Sequence, residues 1–146
     1  HFNLGTALQQ RGDLQGAVEA YQGALSRDRS HAGAQHNLGL ALAQLGDLDA
    51  AAAAFRVSAD LDPSSASARN NLGNVLVRLD DLEGAALAFR AALELDSGMA
   101  SAHDNLGAVL FELGDLDAAA GAFQAALAVD PRMADAHTHL GQLLRD

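Results

Sequence analysis

The chain has 146 residues, of which 49% are hydrophobic, mostly Ala and Leu, and it contains neither cysteine nor tryptophan. Because cysteine is absent, a disulfide framework, a thiolate metal site and a cysteine nucleophile are excluded. The formal net charge is −10 and the nine basic residues are all scattered arginines, so we expect a basic or amphipathic protein segment as the partner, and no nucleic acid.

A short motif recurs at a fixed period of 34 residues. As Asn-Leu-Gly it ends at Gly5, Gly39, Gly73 and Gly107, and a fifth copy, His-Leu-Gly, ends at Gly141. An alanine lies twelve residues after each of the first four glycines, and an aromatic residue lies sixteen after it: Ala17, Ala51, Ala85 and Ala119, then Tyr21, Phe55, Phe89 and Phe123. A period of this length, with helical patterning and no strand signal, predicts stacked helix–turn–helix units.

In chain order, the predicted helices are residues 1–11, 14–27, 31–45, 48–61, 65–79, 82–95, 99–113, 116–129 and 133–145. Pro63 and Pro131 end two of the second helices, because proline cannot continue a helix. No linker or low-complexity stretch interrupts the array. We therefore expect one continuous domain.

The recurring glycine, alanine and aromatic residue predict a joint between the two helices of each unit. Ala51 and Phe55 lie four residues apart and so share one face of a helix. Gly39 has no side chain, so the aromatic ring can fill the space beside it. An isolated glycine inside a helix costs roughly 1 kcal/mol relative to alanine, so its return in every unit indicates a packing role.

The turns between helices also repeat in register. Four aspartates each precede a leucine and are placed to cap the second helices: Asp13, Asp47, Asp81 and Asp115. Gly12, Gly46 and Gly114 fit a left-handed position that ends the preceding helix, and Asp80 takes that place in the third unit. Three serines could cap the first helices that follow them: Ser30, Ser64 and Ser97.

These residues and their register resemble the tetratricopeptide repeat family, and the resemblance covers the whole chain. It implies an all-α fold, a right-handed superhelical solenoid of antiparallel helix pairs. The single solenoid over 1–146 would consist of a partial repeat 1–31, repeats 32–65, 66–99 and 100–133, and a partial repeat 134–146.

No residue pattern typical of catalysis or metal binding is found. His103 and His137 are one period apart and should stack along the array, while His137 and His139 lie on different faces of a helix. The phosphate-binding, zinc-protease and nucleophile-elbow motifs are absent. We expect no enzyme activity, no catalytic residue, no metal and no cofactor.

The resemblance implies a concave groove lined by the first helices. Its positions lie three residues before each repeat glycine and one, four and five residues after it. We add to these positions the asparagines that lie two residues before the glycine. The candidate groove residues are Asn3, His36, Asn37, Leu40, Gln44, Asn70, Asn71, Asn74, Val77, Arg78, Asp104, Asn105 and Phe111. The alternative for Val77 and Phe111 is that they only pack against neighbouring helices.

Two functional patterns known in the family can be compared with these positions. Its chaperone-binding members grip a C-terminal carboxylate with basic residues and asparagines; here Asn70, Asp135 and His139 stand where basic residues are required, so an acidic C-terminus is not the expected ligand. A series of asparagines, one per repeat, instead resembles the repeat region of O-linked N-acetylglucosamine transferases, which grips peptide backbone: Asn3, Asn37, Asn71 and Asn105. The alternative is that each asparagine bonds within its own repeat.

The sequence therefore predicts a non-catalytic scaffold that binds a peptide or protein segment in its groove. The alternatives are the substrate-recognition segment of a larger enzyme, such as an O-linked glycosyltransferase, and a structural subunit of a multiprotein assembly. No apolar run reaches the roughly 18 residues of a membrane span, so we expect no membrane insertion and a soluble protein of the cytoplasm or periplasm. Leu140, Leu143 and Leu144 predict self-association through an uncapped last helix.

Overall fold

The computed structural model describes residues 1–145, and this range forms nine α-helices with no strand. They are α1 Phe2–Gln10, α2 Leu14–Arg27, α3 Ala32–Leu45, α4 Leu48–Leu61, α5 Ala66–Arg78, α6 Leu82–Leu95, α7 Ala100–Glu112, α8 Leu116–Val129 and α9 Ala134–Arg145. These bounds match the predicted helices to within one residue at each end. Asp146, the last residue of the predicted final repeat, lies outside the described residues.

Each helix packs against the next one in the chain, and the odd-numbered helices also touch one another in order, from α1 to α9. We call α1, α3, α5, α7 and α9 the first helices, and the even-numbered helices the second helices. Because each unit contacts only its neighbours, the fold is an open stack and not a closed bundle. The predicted all-α solenoid is confirmed.

The predicted joints are present in all four helix pairs. A Cβ atom added to Gly73 would lie 2.6 Å from Cε1 of Phe89, and one added to Gly39 would lie 2.8 Å from Cε1 of Phe55. Gly5 and Tyr21, and Gly107 and Phe123, make the same contact. All four rings are fully buried. The glycine is therefore required for close packing, since any side chain would occupy the space of the ring.

The turns before the second helices also form as predicted. The four aspartates accept hydrogen bonds from backbone N–H groups three residues later, with N···O distances of 2.9 to 3.3 Å. Gly12, Gly46 and Gly114 have φ angles of 84°, 87° and 86°, and Asp80 has a φ of 62°. Of the four left-handed positions, three therefore hold glycine and one holds aspartate.

The predicted serine caps of the first helices are wrong. The Ser30 and Ser64 hydroxyls donate to the carboxylates of Asp28 and Asp62, both at 2.6 Å. Because these aspartates engage the serines, the first helices begin one residue later, where His31 Nδ1 caps α3 and Ser65 Oγ caps α5. Ser97 lies two residues before Met99, the N-cap residue of α7, whose side chain makes no capping hydrogen bond.

Candidate functional site

The predicted groove residues all lie on first helices, but they differ in exposure. Asn3, Gln44, Asn74 and Arg78 are exposed; His36, Asn37, Leu40, Asn71, Val77, Asn105 and Phe111 are half-buried. Asn70 and Asp104 are only 8% and 5% exposed. These two residues offer little surface to a partner.

Two cavities open between first helices and occupy equivalent places in the array. The α3–α5 cavity, of about 200 Å³, has Phe55 as its floor and Leu40, Gln44, Asn71 and Asn74 among its walls. The α7–α9 cavity, of about 240 Å³, has Phe123 as its floor and Ala108, Glu112, His139 and Gln142 in the corresponding positions two repeats later. The same ring that fills the glycine joint therefore also faces the groove.

Polar side chains link α3 to α5 and α7 to α9 along this face. Nδ2 of Asn71 lies 3.4 Å from Nε2 of His36, and Nδ1 of His139 lies 2.9 Å from Oδ1 of Asp104. In both pairs a residue three before one repeat glycine meets a residue two before the next. We call each such link a rung. A rung holds neighbouring repeats in register, and neither rung lies within a single repeat.

The rung between α5 and α7 is shifted. By position Asn105 should meet Asn70, but its Nδ2 instead donates to Oδ1 of Asn74 at 3.0 Å. Asn70 is left buried, and its Oδ1 has no hydrogen-bond partner among the described residues. A buried unpaired carbonyl oxygen is costly. The shift therefore places an amide bridge across the groove between the two cavities, at the expense of one unsatisfied atom.

Aromatic and apolar contacts complete the face. The imidazole of His36 meets the ring of Phe55 edge-on with centroids 5.5 Å apart, and that of His139 lies 5.2 Å from the centroid of Phe123. Burial lowers the pKa of His36, which favours the neutral imidazole beside the Asn71 amide. Val77 and Phe111 pack against the buried core, and Phe111 also lines the α7–α9 cavity.

Sequence reasoning missed the contribution of His139 and Gln142 to this face. One signal was present: His139 takes the place of asparagine in the fifth copy of the repeat motif, and so occupies a rung position opposite Asp104. Within residues 1–145, no three His, Asp or Glu side chains come together as a metal site would require. In the same range, no helix has the length and apolar character needed to cross a bilayer.

Comparison with known families decides the classification. One tetratricopeptide repeat model matches residues 2–66 and 57–100, and a second TPR repeat model matches residues 107–145. The chain belongs to the tetratricopeptide repeat family. A search of curated protein sequences finds no match.

Solved structures of other members of the tetratricopeptide repeat family superpose closely on this chain. MamA matches with a TM-score of 0.95 and 26% identity, over 99% of this chain and 85% of MamA. YrrB, described as a TPR protein with an unusual peptide-binding site, matches with a TM-score of 0.87 and 27% identity, over 99% of this chain and 74% of YrrB. The first TPR of Spaghetti (RPAP3), bound to an HSP90 peptide, matches with a TM-score of 0.76 over 78% of this chain and 90% of that one, and at 22% identity it shows the fold alone.

Proposed function

We propose that this chain is a non-catalytic scaffold that binds an extended segment of a partner protein along the face of α3, α5, α7 and α9. The two equivalent cavities carry this proposal. Each combines a buried aromatic floor with amide or charged side chains at its rim. This combination suits a peptide, whose side chains enter the cavities while its backbone needs donors and acceptors.

The asparagines supply the backbone contacts in this proposal. Asn71 and Asn74 line the α3–α5 cavity, and Asn105 on α7 donates to Asn74 from the next first helix. An asparagine amide offers a donor and an acceptor, and so matches one peptide unit without reading its side chain. Each net hydrogen bond would contribute roughly 0.5–1.5 kcal/mol, enough for binding when several act together.

The charge and the relatives support a protein partner. The net charge of −10 favours a basic or amphipathic segment over nucleic acid. YrrB, at 27% identity, is described as having an unusual peptide-binding site. We extend peptide binding in general, but not that particular site, to this chain.

The proposal is tested by selecting peptides from a displayed library of random 12-residue sequences and measuring their affinity by fluorescence anisotropy. The Asn71→Ala, Asn105→Ala double variant should weaken binding of the selected peptides, since it removes two amides from the face. The matched control is Leu87→Ala on α6, which truncates a side chain that is 67% exposed and lines neither groove cavity. The proposal would be contradicted if the double variant and the Leu87→Ala control lost the same affinity for the selected peptides, or if the double variant lost none.

The series Asn3, Asn37, Asn71 and Asn105 also carries a second candidate function, the recognition segment of a larger O-linked glycosyltransferase. A transferase domain encoded next to these repeats in the full gene would support this candidate. If the gene encodes repeats alone, this candidate fails.

Self-association through the last helix remains a prediction. Leu144 on α9 is 77% exposed, and a helix that packs over it would remove that apolar surface from water. Sedimentation equilibrium of the chain, with and without Leu144→Glu, tests it. A monomeric parent at high concentration would contradict it.

A further inference from the structure

The two groove cavities are equivalent in position but opposite in charge. Arg78 lines the α3–α5 cavity, and no other lining residue there is charged. Glu112 lines the α7–α9 cavity. Arg78 and Glu112 hold the same repeat position, five residues after the repeat glycine. Within the cavities they lie on opposite sides: Arg78 is on α5, the later helix of its pair, whereas Glu112 is on α7, the earlier helix of its pair, and corresponds to Gln44.

The two charged residues line different cavities. Arg78 turns toward α3, where its Nη1 donates to the backbone carbonyl of Ala43 at 3.0 Å. This bond uses one of the five N–H donors of the guanidinium and holds its positive charge over the α3–α5 cavity. Among residues 1–145 the one ion pair joins His139 to Asp104. Neither Arg78 nor Glu112 is neutralised by an ion pair with a described residue.

Glu112 is the one carboxylate among the described residues that line the α7–α9 cavity. Asp104 is buried beneath this face, and its Oδ1 lies 2.9 Å from Nδ1 of His139. Glu112 therefore gives the cavity its negative charge.

We infer that the partner is an extended segment with an acidic side chain over the α3–α5 cavity and a basic one over the α7–α9 cavity. This inference rests on the proposed function. Neighbouring first helices touch and packed helices lie about 8–10 Å apart, so two steps along the array separate the cavities by roughly 20 Å. At about 3.3 Å per residue, the acidic and basic residues of the segment stand about six positions apart.

The charge pattern is tested with the same displayed 12-residue library, selected in parallel against the parent chain and the Arg78→Glu, Glu112→Arg double variant. The parent should enrich peptides that carry an acidic and a basic residue about six positions apart, and the variant should enrich the reverse order. A synthetic peptide from the parent selection should bind the parent about tenfold more tightly than its charge-swapped counterpart, because two attractive pairs become repulsive. This ratio should shrink at about 0.5 M salt.

The matched control is Arg90→Glu with Glu94→Arg, which makes the same two charge changes on exposed positions of α6 and should leave the preference unchanged. Arg78→Gln and Glu112→Gln provide milder single variants, each of which should reduce the ratio. Peptides that depend on Asn71 and Asn105 but show no paired charges would overturn the inference and leave the proposed function standing. If no selected peptide depends on Asn71 and Asn105, both fail.

Discussion

The glycine joint allows the sharpest test of the fold, through Gly73→Ala in α5. The added Cβ would lie 2.6, 2.7 and 2.8 Å from three ring atoms of Phe89. Carbon atoms in good contact are about 3.5–4.0 Å apart, so the ring would have to retreat by roughly 1 Å. Phe89 is fully buried among the residues of its own core cluster, and this leaves no open space into which the ring could move.

The magnitude follows from two opposing effects. Overpacking of a close-packed core costs about 1–3 kcal/mol, whereas replacing a mid-helix glycine with alanine gains about 1 kcal/mol of helix propensity. We expect Gly73→Ala to lower the free energy of unfolding by up to about 2 kcal/mol net. Gly121→Ala in α8 is the matched control, because nothing lies within 4 Å of its added Cβ. That variant should gain up to about 1 kcal/mol.

The assay is urea unfolding followed by circular dichroism at equilibrium. A double-mutant cycle with Phe89→Leu isolates the contact, since the smaller side chain leaves room for the added methyl group. Gly73→Ala should then cost less in the Phe89→Leu background than in the parent, by about 1 kcal/mol or more. If Gly73→Ala stabilises the chain as Gly121→Ala does, or if the cycle is additive, the ring does not explain the glycine.

Four further substitutions should change the stability of the chain in directions that follow from the structure. Asp80→Gly should raise the free energy of unfolding by roughly 0.5–1 kcal/mol, because glycine adopts the φ of 62° at this position without strain. The opposite change, Gly46→Asp, should lower the free energy of unfolding. Unchanged urea midpoints in the two variants would refute this reasoning. Asn70→Leu should stabilise by about 1 kcal/mol, since it removes the unpaired buried Oδ1, and a lower midpoint would mean that this oxygen is satisfied. Because burial lowers the pKa of His36, the folded chain binds fewer protons than the unfolded one. Stability should therefore fall as the pH drops below about 6.5, and His36→Gln should lessen that fall; an equal fall in both proteins would contradict it.

The helices and joints could be predicted because they depend on contacts close in sequence and repeated in register. Asp81 caps α6 through a backbone group three residues away, and Phe89 meets a glycine sixteen residues before it. Each pattern occurs four times, so the prediction does not depend on a match in one repeat that could arise by chance. The failed serine caps show the limit of such local patterns. Asp28, two residues before Ser30, engages its hydroxyl, and spacing alone does not reveal which of two nearby partners a side chain chooses.

The predicted positions of the groove residues on the first helices match the structure, but their bonding could not be predicted. Asn105 could reach Asn70 or Asn74, and which of them it meets depends on a side-chain rotamer and on the fit between two repeats. The 34-residue period of the sequence is the same whether Asn105 contacts Asn70 or Asn74, so the period does not distinguish the two contacts. His139 takes the place of asparagine in the fifth copy of the motif, and its contact with Asp104 becomes visible only when α7 and α9 are placed side by side.

Some positions hold the same residue type in each repeat and others differ between repeats, and the differing positions indicate which part of the surface is particular to this chain. The glycine, alanine and aromatic positions hold almost the same residues in each repeat, and the stability of a solenoid is close to a sum of such local interfaces. The position five residues after the glycine instead holds Gln44, Arg78 and Glu112 in successive repeats. All three are exposed, so a change among them alters the groove at little cost to the fold. If the chain binds an extended segment as we propose, the order of these side chains along the array, neutral, positive and then negative, is the feature most able to distinguish one partner from another.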